Sequence, residues 1–253
     1  MINKLSEWAL NVLEVYSLNN RSLPYTYWYD FLLKKLNEVE GDILEFGVYR
    51  ARTLSTTAFC ASLAKNPRKV FGYDTFTGFP ATLNSFDHPD NFETMYQNGS
   101  ISSEHYAMIK QNKSLLEVVG RNTSTALSST SGNFSSTSLD FVTQKINYLG
   151  LTNVELIQGT ISNSIDLGRF PNKISAIFLD ADLYDPYQSV LNNCWESLSP
   201  GGIVWLDEYF SLKFPGPRIA VDQFLSTVDD ASLICIEAPF GEFQRWIIRK
   251  RGQ

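Results

Sequence analysis

Apolar positions recur at helical spacing over residues 5–16 and again over 27–39, and the turn-rich string Asn19-Asn20-Arg21-Ser22-Leu23-Pro24 separates the two stretches. Beyond Gly41 the pattern changes. Ile43-Leu44 open a short apolar run that ends in Glu45-Phe46-Gly47, and helical spacing resumes through Leu54, Ala58, Ala61 and Leu63, which predicts strand, turn and helix. Strands are predicted again at 69–74, 154–158, 174–180 and 203–207, with helices over 187–198 and 217–228 and a turn at Pro200-Gly201-Gly202. Runs at 232–237 and 244–249, joined through Pro239-Phe240-Gly241, predict an antiparallel pair. Strands that read as continuous apolar runs between helices point to an α/β chain with a mostly parallel sheet covered on both faces.

One stretch breaks this rhythm. Between Pro80 and Asn153 no strand is evident, a helical pattern covers 104–119, and 11 of the 16 residues over 123–138 are Ser or Thr, too polar to build a core. The chain therefore reads as a single domain over 1–253: an N-terminal helical cap over 1–40, a sheet core over 41–80 and 151–253, and a lid or insertion over 81–150. The two N-terminal helices are expected to cap the sheet or to form a homodimer contact.

Charge narrows the ligand. Lys and Arg total 21 against 27 for Asp and Glu, a formal net charge of −6, which argues against nucleic acid and for a small-molecule partner. The first residues, MINKLSEWALNVLEVY, hold no apolar stretch of membrane-spanning length and are read as neither signal nor anchor. Cys60, Cys194 and Cys235 are odd in number, far apart and without CxxC spacing, so the expectation is a cytoplasmic protein without a disulfide framework or thiolate zinc site.

In open parallel sheets ligands bind beyond the carboxyl ends of the strands, and four predicted strand ends carry acids: Glu45, Asp74, the trio Asp180, Asp182 and Asp185, and the pair Asp207-Glu208. The first turn has one glycine, Gly47, and Tyr49 stands where a dinucleotide fingerprint places its second, which disfavours NAD. A phosphate-free nucleoside cofactor relaxes that demand. S-adenosylmethionine adds a sulfonium and an amino group that tolerate an acid such as Glu45, although the turn can equally be only a tight connection. Asp74, 27 residues after Gly47, is placed to accept from both ribose hydroxyls, or else to cap a turn. Asp180, Asp182, Asp207 and Glu208 would converge without Lys or Arg partners and repel one another unless a hard cation such as Mg²⁺, Mn²⁺ or Ca²⁺ sat among them; the alternative is solvated acids capping helices.

Taken together, these blocks resemble the macrocin O-methyltransferase family. The matching strings are 41–50 (GDILEFGVYR), 71–80 (FGYDTFTGFP), 179–184 (LDADLY), and Pro200-Gly201-Gly202 leading to Asp207-Glu208-Tyr209, Pro215-Gly216 and 220–224 (AVDQF). The resemblance implies a class I methyltransferase (Rossmann-like) fold with an antiparallel C-terminal strand. It implies S-adenosylmethionine and Mg²⁺ or Mn²⁺ as cofactors, and methylation of a hydroxyl on a sugar or other small natural product. It implies that Glu45, Phe46, Gly47 and Val48 with Thr53 hold the methionine end, that Tyr49 is a further cofactor contact, that Asp74 holds the ribose and that Gln158 and Gly159 border the adenine. It also implies a metal on Asp180, Asp207 and Glu208, with Asp182 a further candidate, and Asp180 as both cofactor contact and catalytic base. His88 and His105, the two histidines, are alternative bases. Two departures stand out: Ala51-Arg52-Thr53 where the family shows Gly-Gly-Ser, and Asp207-Glu208-Tyr209 where it shows Asp-Asp-Tyr. A catechol-type phenolic acceptor and a non-catalytic cofactor- or metal-binding role are the other readings.

Overall fold

The structure, a computed structural model, describes residues 2–18, 25–121, 133–236 and 244–252. The expected turn at 19–24, most of the Ser/Thr-rich stretch and the Pro239-Phe240-Gly241 turn lie outside the described residues.

Seven strands form one sheet: β1 Asp42–Phe46, β2 Val70–Asp74, β3 Val154–Gln158, β4 Ile174–Leu179, β5 Leu198–Leu206, β6 Ala231–Ile236 and β7 Arg245–Lys250. Their order is β3-β2-β1-β4-β5-β7-β6. β1 pairs in parallel with β2 and β4, β2 with β3 and β4 with β5, whereas β7 runs antiparallel to both β5 and β6. Strand order therefore reverses between β1 and β4, where two successive crossovers leave the sheet in opposite directions and open a crevice.

The helices divide between the two faces. On one lie α1 Glu7–Val12, α2 Thr26–Lys34, α3 Arg52–Ser62 and α6 Leu139–Tyr148; on the other α7 Ile161–Asp166, α8 Tyr184–Cys194 and α9 Gly216–Leu225. Alternate residues of β1 serve the two cores, Ile43 the first and Leu44 and Phe46 the second, as a two-residue side-chain period requires. The N-terminal cap is part of the first core. Trp28 is fully buried, packs edge-on against Phe178 with ring centroids 5.1 Å apart, and donates its indole N–H to Thr57 Oγ1 at 3.0 Å.

Three elements differ from the sequence reading. α1 stops at Val12 because Glu14 takes a left-handed conformation (φ 50°), and the chain re-enters the core at Val15, which is 2% exposed. Strand β5 begins at Leu198 and runs through Pro200-Gly201-Gly202, so the two glycines serve a register shift against β4 rather than a turn before the strand. Gly201 has φ 81°, and a Cβ on Gly202 would come within 2.9 Å of Ser175 O. The insertion, finally, is shorter than 81–150. α4 Asn91–Gln97 and α5 Ser103–Val118 form a small core of their own from Phe92, Met95, Ile101 and Ile109, whereas Val142 and Ile146 of α6 belong to the sheet-face core.

The insertion is pinned to the main fold by its single helical turn Ser85–Asp87. Asp87 is 1% exposed and accepts from Tyr184 N at 2.8 Å, while Asn84 Nδ2 donates to Asp185 Oδ1 at 2.7 Å. The approach is tight on its far side too, since a Cβ on Gly216 would sit 2.0 Å from Asp87 Oδ1. Burial raises the Asp87 carboxyl from 3.8 to about 7.

Two stability outcomes are expected. Trp28→Ala should cost about 3–5 kcal/mol in urea unfolding, whereas Trp8→Ala, at a side chain that is 75% exposed, should change stability by no more than about 0.5 kcal/mol. For Asp87 the folded-state pKa lies above the unfolded value, so its contribution is complete below pH ~4, drains as pH rises and is gone above pH ~7. Asp87→Asn keeps an acceptor for the Tyr184 amide but has no charge to bury. Its Tm should match that of the parent near pH 4 and exceed it at pH 8, by ~2–4 °C for each kcal/mol relieved at this chain length. Thermal unfolding at both pH values checks this, and a difference that does not change with pH would show that Asp87 does not titrate in this range.

Candidate active site

A cleft of about 840 Å³ opens at the β1/β4 switch point. Its walls come from the β1-to-α3 turn, the ends of β2 and β4, the insertion and the N-terminal cap, which supplies Glu14, Tyr16 and Tyr25. The turn is set by Gly47, whose φ is 91° and whose missing Cβ would otherwise lie 1.8 Å from Asp180 O. The Asp180 amide donates to Phe46 O at 2.9 Å and the Gly47 amide to Tyr73 O at 3.0 Å, tying three strand ends into one layer.

Asp74 anchors the turns on either side of it. Its Oδ2 accepts from Tyr49 N at 2.8 Å and its Oδ1 from Phe76 N at 2.6 Å, although burial still pushes its pKa up. The Val48 amide and the Thr75 hydroxyl also act on this carboxylate, and Asp74 lines the cleft. Tyr49 and Phe76 are themselves left-handed, with φ of 47° and 55°, so the two amides Asp74 holds belong to strained residues. Thr137 Oγ1 adds a bond to Tyr49 O at 2.5 Å, and Phe134 packs between Tyr49 and Phe79 at centroid distances of 5.4 and 5.2 Å. These three rings form an aromatic wall.

At the inner edge of the cleft, Asp180, Asp207 and Glu208 each offer a carboxylate oxygen within 4.8 Å of the other two. The register pairing Leu179 with Leu206 makes the following residues neighbours, and the Asp207 amide donates to Leu179 O at 3.0 Å. Burial first, then the surrounding carboxylates, pushes Asp180 and Glu208 well above the usual carboxylate range. Asp182 lies outside this close group, lines the cleft, and is raised to about 8 chiefly by burial. Its left-handed backbone (φ 59°) explains why it does not share the face of Asp180, as an extended strand would have required.

One premise of the sequence reading is corrected here, because the acids are not without a cationic partner. Arg245 of β7 brings its Nε to 3.6 Å from Asp207 Oδ1, which also accepts from Trp205 Nε1 at 3.2 Å. Arg245, with Lys213 acting on Asp182, offsets only part of the formal charge of Asp180, Asp182, Asp207 and Glu208. The donor set is all oxygen, with no thiol or imidazole in the close group, and it fits a hard divalent cation.

The remaining sequence candidates divide into two sets. Gly47, Val48, Tyr49, Thr53, Asp74 and Asp180 line the cleft. Glu45, Phe46, Gln158 and Gly159 are not on its wall. Glu45 is 1% exposed with Oε2 unpartnered, and its carboxylate accepts from the Leu54 amide in the first turn of α3; Phe46 stacks on Tyr73 at 4.5 Å in the opposite core. Gln158 donates to Thr75 O at 3.4 Å, and beyond it the wall is made by Thr160, Ile161 and Ser162. Neither histidine reaches the cleft: His88 is exposed beside Asp90, and His105 is stacked on Phe210 at 3.8 Å with Nε2 2.8 Å from Ser211 O. Sequence reasoning passed over Asp87 and gave Phe134 no place on the wall, since both lie where no apolar period marks an element.

Residues 119–235 match the family model described as Macrocin-O-methyltransferase (TylF). Among solved structures, the chain is similar to CalS11, a calicheamicin methyltransferase, with TM-score 0.59, 22% identity, and coverage of 97% of this chain and 80% of that one. It is also similar to the O-methyltransferase NovP (TM-score 0.56, 17% identity, 89% and 80% covered). A Bacillus cereus O-methyltransferase solved in complex with SAH aligns over the full length of both chains with TM-score 0.52 and 12% identity. No curated protein sequence matches. Among the described residues no helix is long and apolar enough to cross a membrane. The sheet order and the switch-point cleft match the class I methyltransferase fold of these structures, and residues 119–235 are similar to the macrocin O-methyltransferase family.

Proposed function

We propose that the protein transfers a methyl group from S-adenosylmethionine to a hydroxyl of a sugar or other small natural product, with a divalent cation, Mg²⁺ or Mn²⁺, held by Asp180, Asp207 and Glu208. The observation that carries this reading is the convergence of those three carboxylates at the edge of a cleft whose other wall is the Gly47 turn and Asp74. The SAH bound in the Bacillus cereus structure of the same fold supports the cofactor, and the calicheamicin methyltransferase supports a natural-product acceptor.

In this reading Asp74 receives the ribose hydroxyls from the cleft side, and Val48, Tyr49 and Thr53 flank the methionine end. The cation supplies Lewis acidity that lowers the pKa of an acceptor hydroxyl. Asp180, the one member of the trio on the cleft wall, takes the hydroxyl proton as the oxygen forms its bond to the methyl carbon and the sulfonium–methyl bond breaks. Phe79, Phe134 and Tyr49 give the acceptor an aromatic surface. That surface suits the apolar face of a sugar and a phenol alike, so a catechol is the second acceptor class to test. The cysteines, none in a disulfide, suit work in the cytoplasm.

Calorimetric titration with S-adenosylhomocysteine, with NAD⁺ as control, should show micromolar binding of the former alone. Asp74→Ala should weaken that binding by about 10–100-fold, the worth of hydrogen bonds to a charged acceptor. Asp207→Ala should spare it while cutting metal-dependent turnover about 100-fold or more, as chelation by EDTA should in the parent. Equal loss of binding in both variants would refute the division of labour between the two acids.

A further inference from the structure

Six carboxylates line the cleft, those of Glu14, Asp74, Asp87, Asp180, Asp182 and Asp185, against two guanidinium groups, those of Arg50 and Arg52. The arginines differ in what they already hold. Arg50 Nε lies 2.5 Å from Glu14 Oε2, its Nη1 donates to Ser136 O at 3.0 Å, and its guanidinium covers the Phe141 ring at 4.4 Å. Arg52 places its guanidinium carbon 4.3 Å from the centre of the Tyr16 ring and has no hydrogen bond or ion pair among the described residues. A cation–π contact places the guanidinium without giving its N–H groups an oxygen acceptor, so Arg52 is positioned with its donors unspent.

The proposed cofactor carries one anionic group. Its sulfonium and ammonium suit a wall rich in acids, but its α-carboxylate needs a cation. We infer that Arg52 binds the methionine carboxylate of S-adenosylmethionine, with Tyr16 of the N-terminal cap bracing the guanidinium from below. The inference rests on the cofactor reading above. Arg52 begins α3, directly before the wall residue Thr53, and the positive end of the helix dipole favours the same anion. The arginine in Ala51-Arg52-Thr53 thereby acquires a role: a side-chain clamp on the end of the cofactor farthest from its adenine. A charge-assisted, two-pronged contact of this kind is specific to arginine geometry.

The test compares two ligands by calorimetry without acceptor or turnover. S-adenosylhomocysteine has the amino-acid end; 5′-methylthioadenosine has the same thioether nucleoside without it. Arg52→Ala should weaken the former about 10–100-fold and leave the latter within about twofold, and Arg52→Lys should fall between parent and alanine variant. Unchanged affinity for S-adenosylhomocysteine, or equal weakening for both ligands, would overturn the role of Arg52. A parent protein that binds both ligands equally would also overturn it while leaving the cofactor reading in place, whereas a parent that binds neither would defeat both. Arg52 is exposed, so the variants should fold, and an unchanged Tm verifies that.

Discussion

The approach of the β1 and β4 ends governs the rest of the molecule. The Asp180 carbonyl occupies the space where any side chain on residue 47 would begin, and the amide of the same residue is spent on Phe46 O. With those ends locked, the chain after β1 can turn only toward the first core and the chain after β4 only toward the second. The crevice between them is a consequence of topology and not of any side chain chosen to line it. Asp180 inherits its place at the inner edge from that lock, and Asp207 inherits its own from the next register pair.

Holding the crevice open carries a conformational cost. Among the described residues, non-glycine residues with positive φ are Glu14, Tyr49, Ala51, Phe76, Phe134 and Asp182, and each either lines the cleft or lies within two residues of one that does. Each such position costs of order 1–3 kcal/mol and persists only where its surroundings over-determine it. Asp74 does this for two of them at once, through Tyr49 N and Phe76 N. A carboxylate that organises both adjacent turns ties their geometry to one side chain, whose burial raises its pKa.

How much of this could be read in the sequence depends on the range of each interaction. The parallel strands were legible because a strand buried on both faces writes itself as an apolar run, and Gly47, Asp74 and Asp180, which terminate such runs, line the cleft. Glu45 ends a similar run, but it is off the cleft wall, where its carboxylate accepts from the Leu54 amide at the start of α3. Pro200-Gly201-Gly202 reads as a turn because the register shift that absorbs it belongs to the pairing with β4 and leaves no trace in the local pattern. Arg245 could not be assigned to Asp207 at all, since β7 reaches β5 only by an antiparallel return from the far edge of the sheet. Asp87 was hidden in the same way, its partners being Tyr184 and Gly216 in two other elements.

The N-terminal cap is the last link, because it binds core and cleft into one unit. Tyr25 lies on the cleft wall and also packs edge-on against Phe178 and Trp205 at 5.5 and 5.8 Å. Phe178 in turn meets Trp28 of α2, and Tyr16 meets Tyr25 at 5.2 Å while carrying Arg52 on its face. Lys145 closes the ring from α6, donating to Glu14 O at 2.9 Å and Arg50 O at 2.7 Å, and its burial lowers its pKa to about 8. A buried ammonium that satisfies two carbonyls, one from the cap and one from the β1 turn, leaves neither segment free to move alone. The cap therefore cannot be displaced without disturbing the same aromatic stack that fills the sheet face, and a ligand seated against Tyr16 and Tyr25 would be felt in the core of the fold.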